Sequence, residues 1–172
     1  VTLYHLRRFL AFLRDVLATV EPREFEVSQE VEAFFEAVRE VMASDEVAPG
    51  ADVDDRARRD FMDRMGAAAE AWREQVYAGF SGATAGVEAA RLTAFIDRAL
   101  ALLDDSIARN RRDDGLYHAY NLLRIGEDGH GVDHLHEMLE GQVAVLASGV
   151  LTAEASADLL DRLRESRLYR PD

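Results

Sequence analysis

Apolar residues recur along most of the chain at spacings of three and four positions, which is the period of an amphipathic α-helix. The alternation of β-branched and polar residues that is typical of strands is absent. Six segments carry the helical period, and they span residues of about 3–19, 28–43, 52–80, 84–110, 132–148 and 152–167. The pattern predicts an all-α fold of about six helices.

Polar residues with short side chains stand where four of these segments begin, at Thr2, Ser28, Asp52 and Thr152. Their side-chain oxygens suit the N-cap position, because they accept a hydrogen bond from an otherwise unpaired backbone N–H of the first turn.

The segments at about 52–80 and 84–110 are the longest, and only the glycine-containing stretch 79–82 separates them. Two long helices joined by a short linker pack as an antiparallel hairpin. Trp72 lies in the apolar stripe of the first of them. The sequence therefore predicts a single helical domain over residues 1–172, built around this hairpin.

Residues 116–125 are the ambiguous part of the pattern. A helix would direct Leu116, Tyr120 and Leu123 to the core, whereas an extended segment would alternate its polar and aromatic residues. Turn signals stand on both sides, at Asp114-Gly115 and between Gly126 and Gly131, and they favour an irregular or extended segment.

The charge of the chain bears on its partners. Apolar residues make up 48% and charged residues 31% of the 172 positions, a globular composition. The net charge of −13 repels the phosphates of nucleic acids and anionic lipid headgroups. No apolar run is long enough to cross a bilayer. We expect neither nucleic acid nor membrane as a partner.

Cysteine and lysine are both missing from the chain. The lack of cysteine excludes a disulfide scaffold, a thiol nucleophile and a cysteine metal site, and it fits a reducing compartment, so we expect a cytoplasmic protein. All 20 basic residues are arginine, which indicates a GC-rich bacterial genome and excludes Schiff-base chemistry. Because the chain starts at Val1 and stops at Asp172, directly after Pro171, we expect it to be part of a longer protein.

Three of the five histidines lie close together in the stretch 130–136. His130, Asp133 and His134 spell H-x-x-D-H, which is close to the inverted zincin motif H-x-x-E-H. However, two zinc ligands four residues apart must share one helical face, and the glycines on either side of His130 place it in a turn. A di-iron helical bundle needs two Glu-x-x-His pairs on helices, and the only such spacing, Glu127 to His130, lies inside the glycine-containing turn. We expect no metal and no cofactor.

Residues 115–141 gather four histidines and two tyrosines where the helical period lapses. Tyrosine offers a flat apolar ring and a hydroxyl, while imidazole and amide groups hydrogen-bond to polar ligands. The alternative is structural, with the tyrosines at a core edge and Asn121 turning the backbone. No catalytic residue is assigned, and six residues are candidates for ligand binding: Tyr117, His118, Tyr120, Asn121, His134 and Glu137.

A resemblance to known proteins lies in two stretches of the chain. They are Gly115-Leu116-Tyr117-His118-Ala119-Tyr120-Asn121-Leu122 and Leu163-Arg164-Glu165-Ser166-Arg167-Leu168-Tyr169-Arg170-Pro171-Asp172. Both resemble segments of very large bacterial proteins labelled cellobiose phosphorylase-like. The resemblance covers residues 115–172. It implies a helical region inside a carbohydrate-related multidomain protein. No position matches a phosphorylase general acid or phosphate site.

The sequence leaves three functions open. The first is a helical structural or protein-interaction module of a larger bacterial protein, with no catalysis of its own and with flanking domains or another protein as its partner. The second is a part of a carbohydrate-handling enzyme in which residues 115–141 face a carbohydrate ligand. The third is a free-standing helical protein that binds a partner.

Overall fold

The structure is a computed structural model that describes residues 1–21 and 23–171. Within these residues the chain is mainly helical, as predicted, with six α-helices. They are α1 (Thr2–Thr19), α2 (Gln29–Met42), α3 (Asp55–Ala78), α4 (Ala89–Arg109), α5 (Leu139–Ala147) and α6 (Ala153–Glu165). A 3₁₀ turn covers Asp45–Val47. None of the helices described combines the length and the apolar character needed to cross a bilayer.

The prediction of an all-α fold holds only in part, because four short strands also form among the described residues. They are β1 (Glu24–Ser28), β2 (Thr84–Glu88), β3 (Asn121–Ile125) and β4 (His130–His134). β1 pairs with β2, and β3 pairs with β4, in two small antiparallel sheets. The fold is therefore a helical fold with two β-ribbons.

The chain divides into two compact units. Unit 1 comprises Val1–Phe12, Leu100–Arg124 and Val132–Asp172, and unit 2 comprises Leu13–Ala99 and Ile125–Gly131. The expectation that residues 1–172 are a single domain stays a prediction.

In unit 2, helix α3 packs mainly against α2. Trp72 of α3 is half-buried and stacks on Phe34 of α2, with 5.5 Å between the ring centroids. The N-cap of α3 is Asp54, whose carboxylate accepts from the N–H of Ala57 at 2.7 Å, and not Asp52 as predicted. The prediction of a helical hairpin from about 52–80 and 84–110 is also wrong, because residues 84–88 form β2 and α3 packs mainly against α2.

The ribbon of β1 and β2 places each strand directly before a helix. Phe25 pairs with Val87, which is only 3% exposed, and Ser28 pairs with Thr84. Ser28 is also the N-cap of α2, because its hydroxyl accepts from the N–H of Val31. Burial of apolar side chains such as Val87 against the helices stabilises a ribbon that would be marginal alone.

The core of unit 1 is formed by residues from distant parts of the chain. Its buried members are Tyr4, Ile107, Leu116, Tyr117, Ala144, Val145 and Leu159. The Tyr4 hydroxyl donates to the His118 carbonyl at 3.0 Å. Arg7 donates to the Asp104 carboxylate at 2.7 Å and to the Ser148 carbonyl at 2.9 Å. These bonds fix the start of α1 to the rest of the unit.

The ambiguous region and the start of the fifth predicted helix are both extended in the structure. Residues 121–125 form β3, so the extended alternative for 116–125 is confirmed over this part. The helix predicted at 132–148 is shorter than expected, because residues 130–134 form β4 and α5 begins at Leu139. Gly131 and the polar residues His130, Asp133 and His134 leave Val132 as the only apolar side chain of β4, so the strand lacks the apolar stripe that a helix needs to pack.

Candidate ligand site

Three of the six candidate residues meet in unit 1 and form what we call the histidine cluster: His118, Asn121 and His134. The two imidazole rings are stacked, with 3.9 Å between their centroids and an interplanar angle of 10°. His134 Nδ1 lies 2.9 Å from Asn121 Oδ1. Because the Asn121 amide donates to Asn110 Oδ1 at 2.9 Å, its own oxygen is the acceptor, and His134 Nδ1 therefore carries the proton.

The His118 imidazole is half-buried, and its Nδ1 atom has no hydrogen-bond partner among the described residues. Burial, and then the proximity of His134 and Arg112, lower the pKa of His118 from the ordinary 6.5, while a hydrogen bond with the Leu135 backbone acts in the opposite direction. His118 is therefore neutral at pH 7, and the stacked pair avoids carrying two positive charges.

This shift has a consequence for stability as a function of pH. With a lowered pKa in the folded state, His118 contributes stability above the ordinary pKa of 6.5, and this contribution is lost as the pH falls through the folded value. We expect the His118 ring protons, followed by NMR during an acid titration, to titrate below 6.5. Titration of His118 at or above the ordinary value would contradict the stacked, desolvated arrangement.

Tyr120 is exposed and lies at a cavity of about 350 Å³ that we call the amide cavity. Its lining residues with polar side chains are Thr2, Tyr4, Ser106, Asn110, His118, Tyr120 and Asn121. These groups offer hydroxyl, amide and imidazole hydrogen bonds, and no carboxylate lies among the described lining residues. The arrangement suits a polar, uncharged group and lacks the pair of carboxylates used for general acid–base chemistry.

The remaining two candidates lie elsewhere. Tyr117 is 7% exposed, belongs to the core of unit 1 and has its backbone N–H and C=O bound by the buried side chain of Gln142. Glu137 lies at a different cavity, beside Arg112 and Arg167. The structure therefore groups His118, Tyr120, Asn121 and His134, and separates Tyr117 and Glu137 from them.

The cavity around Glu137 measures about 410 Å³, and we call it the ion-pair cavity. Its charged lining residues are Arg112, Asp114, Glu137, Arg162, Glu165 and Arg167. The sequence interpretation does not single out these arginines as site residues, because Arg112 is distant in the chain from Arg162 and Arg167 and the three follow no motif. The turn signal Asp114-Gly115 beside Arg112 is the feature that points to the site.

Residues His130 and His134 do not share a helical face, because both lie in the extended strand β4. Positions four residues apart in a strand are separated by roughly 13 Å. The His130 carbonyl accepts a hydrogen bond from Arg58. Among the residues that the structure describes, no group of three or more histidine, aspartate or glutamate side chains is arranged to hold a metal ion.

Comparison of the chain with protein-family models and with curated proteins gives no match.

Proposed function

We propose that this chain is a helical protein-interaction module, without catalysis of its own, of a larger cytoplasmic bacterial protein of the cellobiose phosphorylase-like kind that residues 115–172 resemble. The observation that supports this proposal is the exposure of β3. All five residues of the strand are exposed, including Leu122 at 52%, Leu123 at 41% and Ile125 at 78%.

Successive side chains of a strand point to opposite faces. Leu122 and Leu123 therefore present apolar groups on both faces of β3. Apolar residues on both faces are typical of strands that are covered on both sides. A flanking domain of the same protein, or a second protein, with an apolar surface would provide that cover.

Helix α1 presents a second apolar surface in unit 1. Leu6, Phe9 and Phe12 are 45%, 55% and 63% exposed. Their spacing of three places them along one side of the helix. Two large aromatic side chains exposed on one helix are common at protein interfaces, where aromatic residues are enriched.

The absence of cysteine makes thiol labelling a direct test. A single cysteine is introduced by Ile125→Cys, with Asp128→Cys as a control in the exposed turn of the same hairpin. We expect a maleimide to label both variants of the purified chain at similar rates. In the natural full-length protein, labelled inside the cells that produce it and analysed by mass spectrometry of the peptide that carries the substituted position, we expect Ile125→Cys to be protected and Asp128→Cys to react as before.

Protection of Ile125→Cys alone supports a partner on β3. Equal labelling of the two thiols in the cell would show that β3 stays open to solvent and would overturn the proposal.

A further inference from the structure

Three aromatic rings of unit 2 form a cluster that reaches the surface, and we call it the aromatic patch: Phe34 of α2, Trp72 of α3, and Phe80. Trp72 stacks on Phe34, with 5.5 Å between the ring centroids. The centroid of Phe80 lies 6.0 Å from that of Trp72, and the two ring planes are tilted by 58°. Phe34 and Trp72 are half-buried, whereas Phe80 is 55% exposed. The patch therefore meets the solvent mainly at Phe80.

The turn that carries Phe80 is tied to the first turn of α2 by two hydrogen bonds. The backbone N–H of Ser81 donates to Glu30 Oε1 at 2.7 Å. The backbone N–H of Gln29 donates to the carbonyl of Ala83 at 3.0 Å. Because these bonds already hold the turn against α2, a ligand at the patch binds a surface that needs little further ordering.

Glu30 places a buried carboxylate beside the aromatic patch. It lies four residues before Phe34 on the same side of α2, and it binds the residue that follows Phe80. Glu30 is 8% exposed, and its Oε2 atom is shielded from solvent and has no hydrogen-bond partner among the described residues. Contacts with Ser81 hold the pKa of Glu30 below its ordinary value, while burial acts in the opposite direction. Glu30 is therefore ionised at neutral pH, with one oxygen left uncompensated.

The helical neighbours of the patch provide no positive charge. Residues three and four positions from Phe34 and Trp72 lie beside them on the helix surface. Apart from Glu30 they are all uncharged: Val31, Ala37 and Val38 on α2, and Ala68, Ala69, Gln75 and Val76 on α3. Within the part of the chain that the structure describes, no arginine forms an ion pair with Glu30.

The next residue of α2, Phe35, shows the same chemistry with its cation in place. The guanidinium of Arg91 lies over the Phe35 ring, 6.0 Å from its centroid, and pairs with the Glu36 carboxylate. A cation over an aromatic face is attracted by the negative face of the ring. The aromatic patch has the rings and the carboxylate of such a site, and an external cation would complete it.

We propose that the aromatic patch binds an arginine side chain of a partner protein. A guanidinium is planar, stacks on aromatic faces and donates to carboxylates, so it matches both the rings and Glu30. The net charge of −13 attracts a basic partner to the chain.

The openness of the patch favours a side chain over a free small molecule. Small-molecule sites bury most of their ligand, whereas a patch with Phe80 more than half exposed covers only one side of it. A side chain carried by a protein gains the rest of its binding energy from contacts around the patch. The argument depends on unit 2 alone and is independent of the interaction surface on β3, so failure of either proposal leaves the other standing.

Trp72 is the only tryptophan of the chain, so its fluorescence reports directly on the patch. The complete chain is titrated at constant ionic strength with the peptide Gly-Arg-Gly, blocked at both ends, and with the same peptide carrying citrulline. Citrulline has nearly the shape of arginine and no charge. We expect the arginine peptide to change the fluorescence saturably and the citrulline peptide to bind at least roughly tenfold more weakly, which corresponds to about 1.4 kcal/mol. The absence of a saturable change with the arginine peptide, or equal binding of the citrulline peptide, would overturn the proposal.

A matched pair of variants separates the site from the overall charge. Glu30→Gln removes the charge and keeps an amide oxygen that can accept from Ser81, and we expect it to weaken binding of the arginine peptide roughly tenfold or more. Glu40→Gln removes the same charge from an exposed position of α2 and should leave binding unchanged. Equal weakening by the two variants would show that the net charge alone attracts the peptide, and the proposal would be wrong.

A second pair tests the rings without touching a buried residue. Phe80→Leu removes the exposed ring of the patch and keeps Trp72 as the reporter, and we expect binding to weaken severalfold. Phe9→Leu is the control, because Phe9 of unit 1 is also 55% exposed. Circular dichroism verifies that each variant is folded. Unchanged binding by Phe80→Leu would overturn the proposal, whatever the outcome at Glu30.

Discussion

Replacing Gln142 with leucine should lower the free energy of unfolding by about 2–6 kcal/mol, because two buried backbone groups each lose a partner worth about 1–3 kcal/mol. Gln142 is fully buried. Its Oε1 accepts from the Tyr117 N–H at 2.9 Å, and its Nε2 donates to the Tyr117 carbonyl at 2.8 Å. Leucine fills a similar volume and provides neither bond. Urea unfolding followed by circular dichroism measures the change.

The control for this prediction is Val143→Ala, the next position of α5, where the side chain is 57% exposed. A substitution at such a position changes stability by about 0.5 kcal/mol or less. If Gln142→Leu were no less stable than Val143→Ala, the buried amide would not be what holds residue 117 in the core.

The second large effect is expected at Tyr4, which is 1% exposed and lies at the centre of the unit 1 core. Tyr4→Ala removes an aromatic ring from a packed site and should cost about 3–5 kcal/mol. Tyr4→Phe keeps the ring and removes only the hydroxyl that donates to His118, so its cost should be about 0.5–1.5 kcal/mol. The same unfolding experiment compares the two variants, and equal losses would show that the ring contributes nothing beyond its hydroxyl.

The pH dependence of Tyr4 provides a second measurement of its burial. Burial, and then Tyr117, raise the pKa of Tyr4 from 10.0 to about 12. A raised pKa in the folded state means that the neutral phenol contributes stability below pH 10, and that this contribution is lost as the pH rises from 10 to about 12. Tyr4→Phe should lack this component of the alkaline loss, and an identical loss in both proteins would contradict the burial of the hydroxyl.

The features that could be predicted from the sequence are those that depend on local chemistry. The caps at Ser28 and Thr152 identify where α2 and α6 begin, because a hydroxyl three residues before a backbone N–H is sufficient to satisfy it. The continuous apolar period of α1 likewise predicts its bounds closely.

The strands could not be predicted, because each depends on a partner that local sequence does not reveal. Phe25 of β1 pairs with Val87 of β2, and the whole of α2 and α3 lies between them in the chain. A strand of five residues contains too few positions to distinguish its period from that of a helix. β2 was therefore interpreted as the first turn of the following helix.

The candidate site could be predicted only in part, for a similar reason. The crowding of polar residues at 117–121 indicated the region, but the contact between His118 and His134 exists because β3 and β4 fold back on each other. The pairing of Glu137 with Arg167 joins positions 30 residues apart, and no periodic pattern relates them. Two charged residues so far apart in the chain become neighbours only through the folded backbone, so their pairing cannot be inferred from the sequence.

The discontinuity of unit 1 also determines the order in which the chain can fold as it is synthesised. The Tyr4 hydroxyl can form its hydrogen bond only after the His118 carbonyl, 114 residues later, has been synthesised. Arg7 can bond to the Ser148 carbonyl only after a further stretch, since that residue lies 141 positions after it. Helices α2 and α3, by contrast, are neighbours in the chain and can pack as soon as both have left the ribosome. Until residues 118–159 have been synthesised, α1 therefore exposes not only Phe9 and Phe12 but also Tyr4 to the solvent and to chaperones, and unit 1 can close only after that part of the chain has emerged.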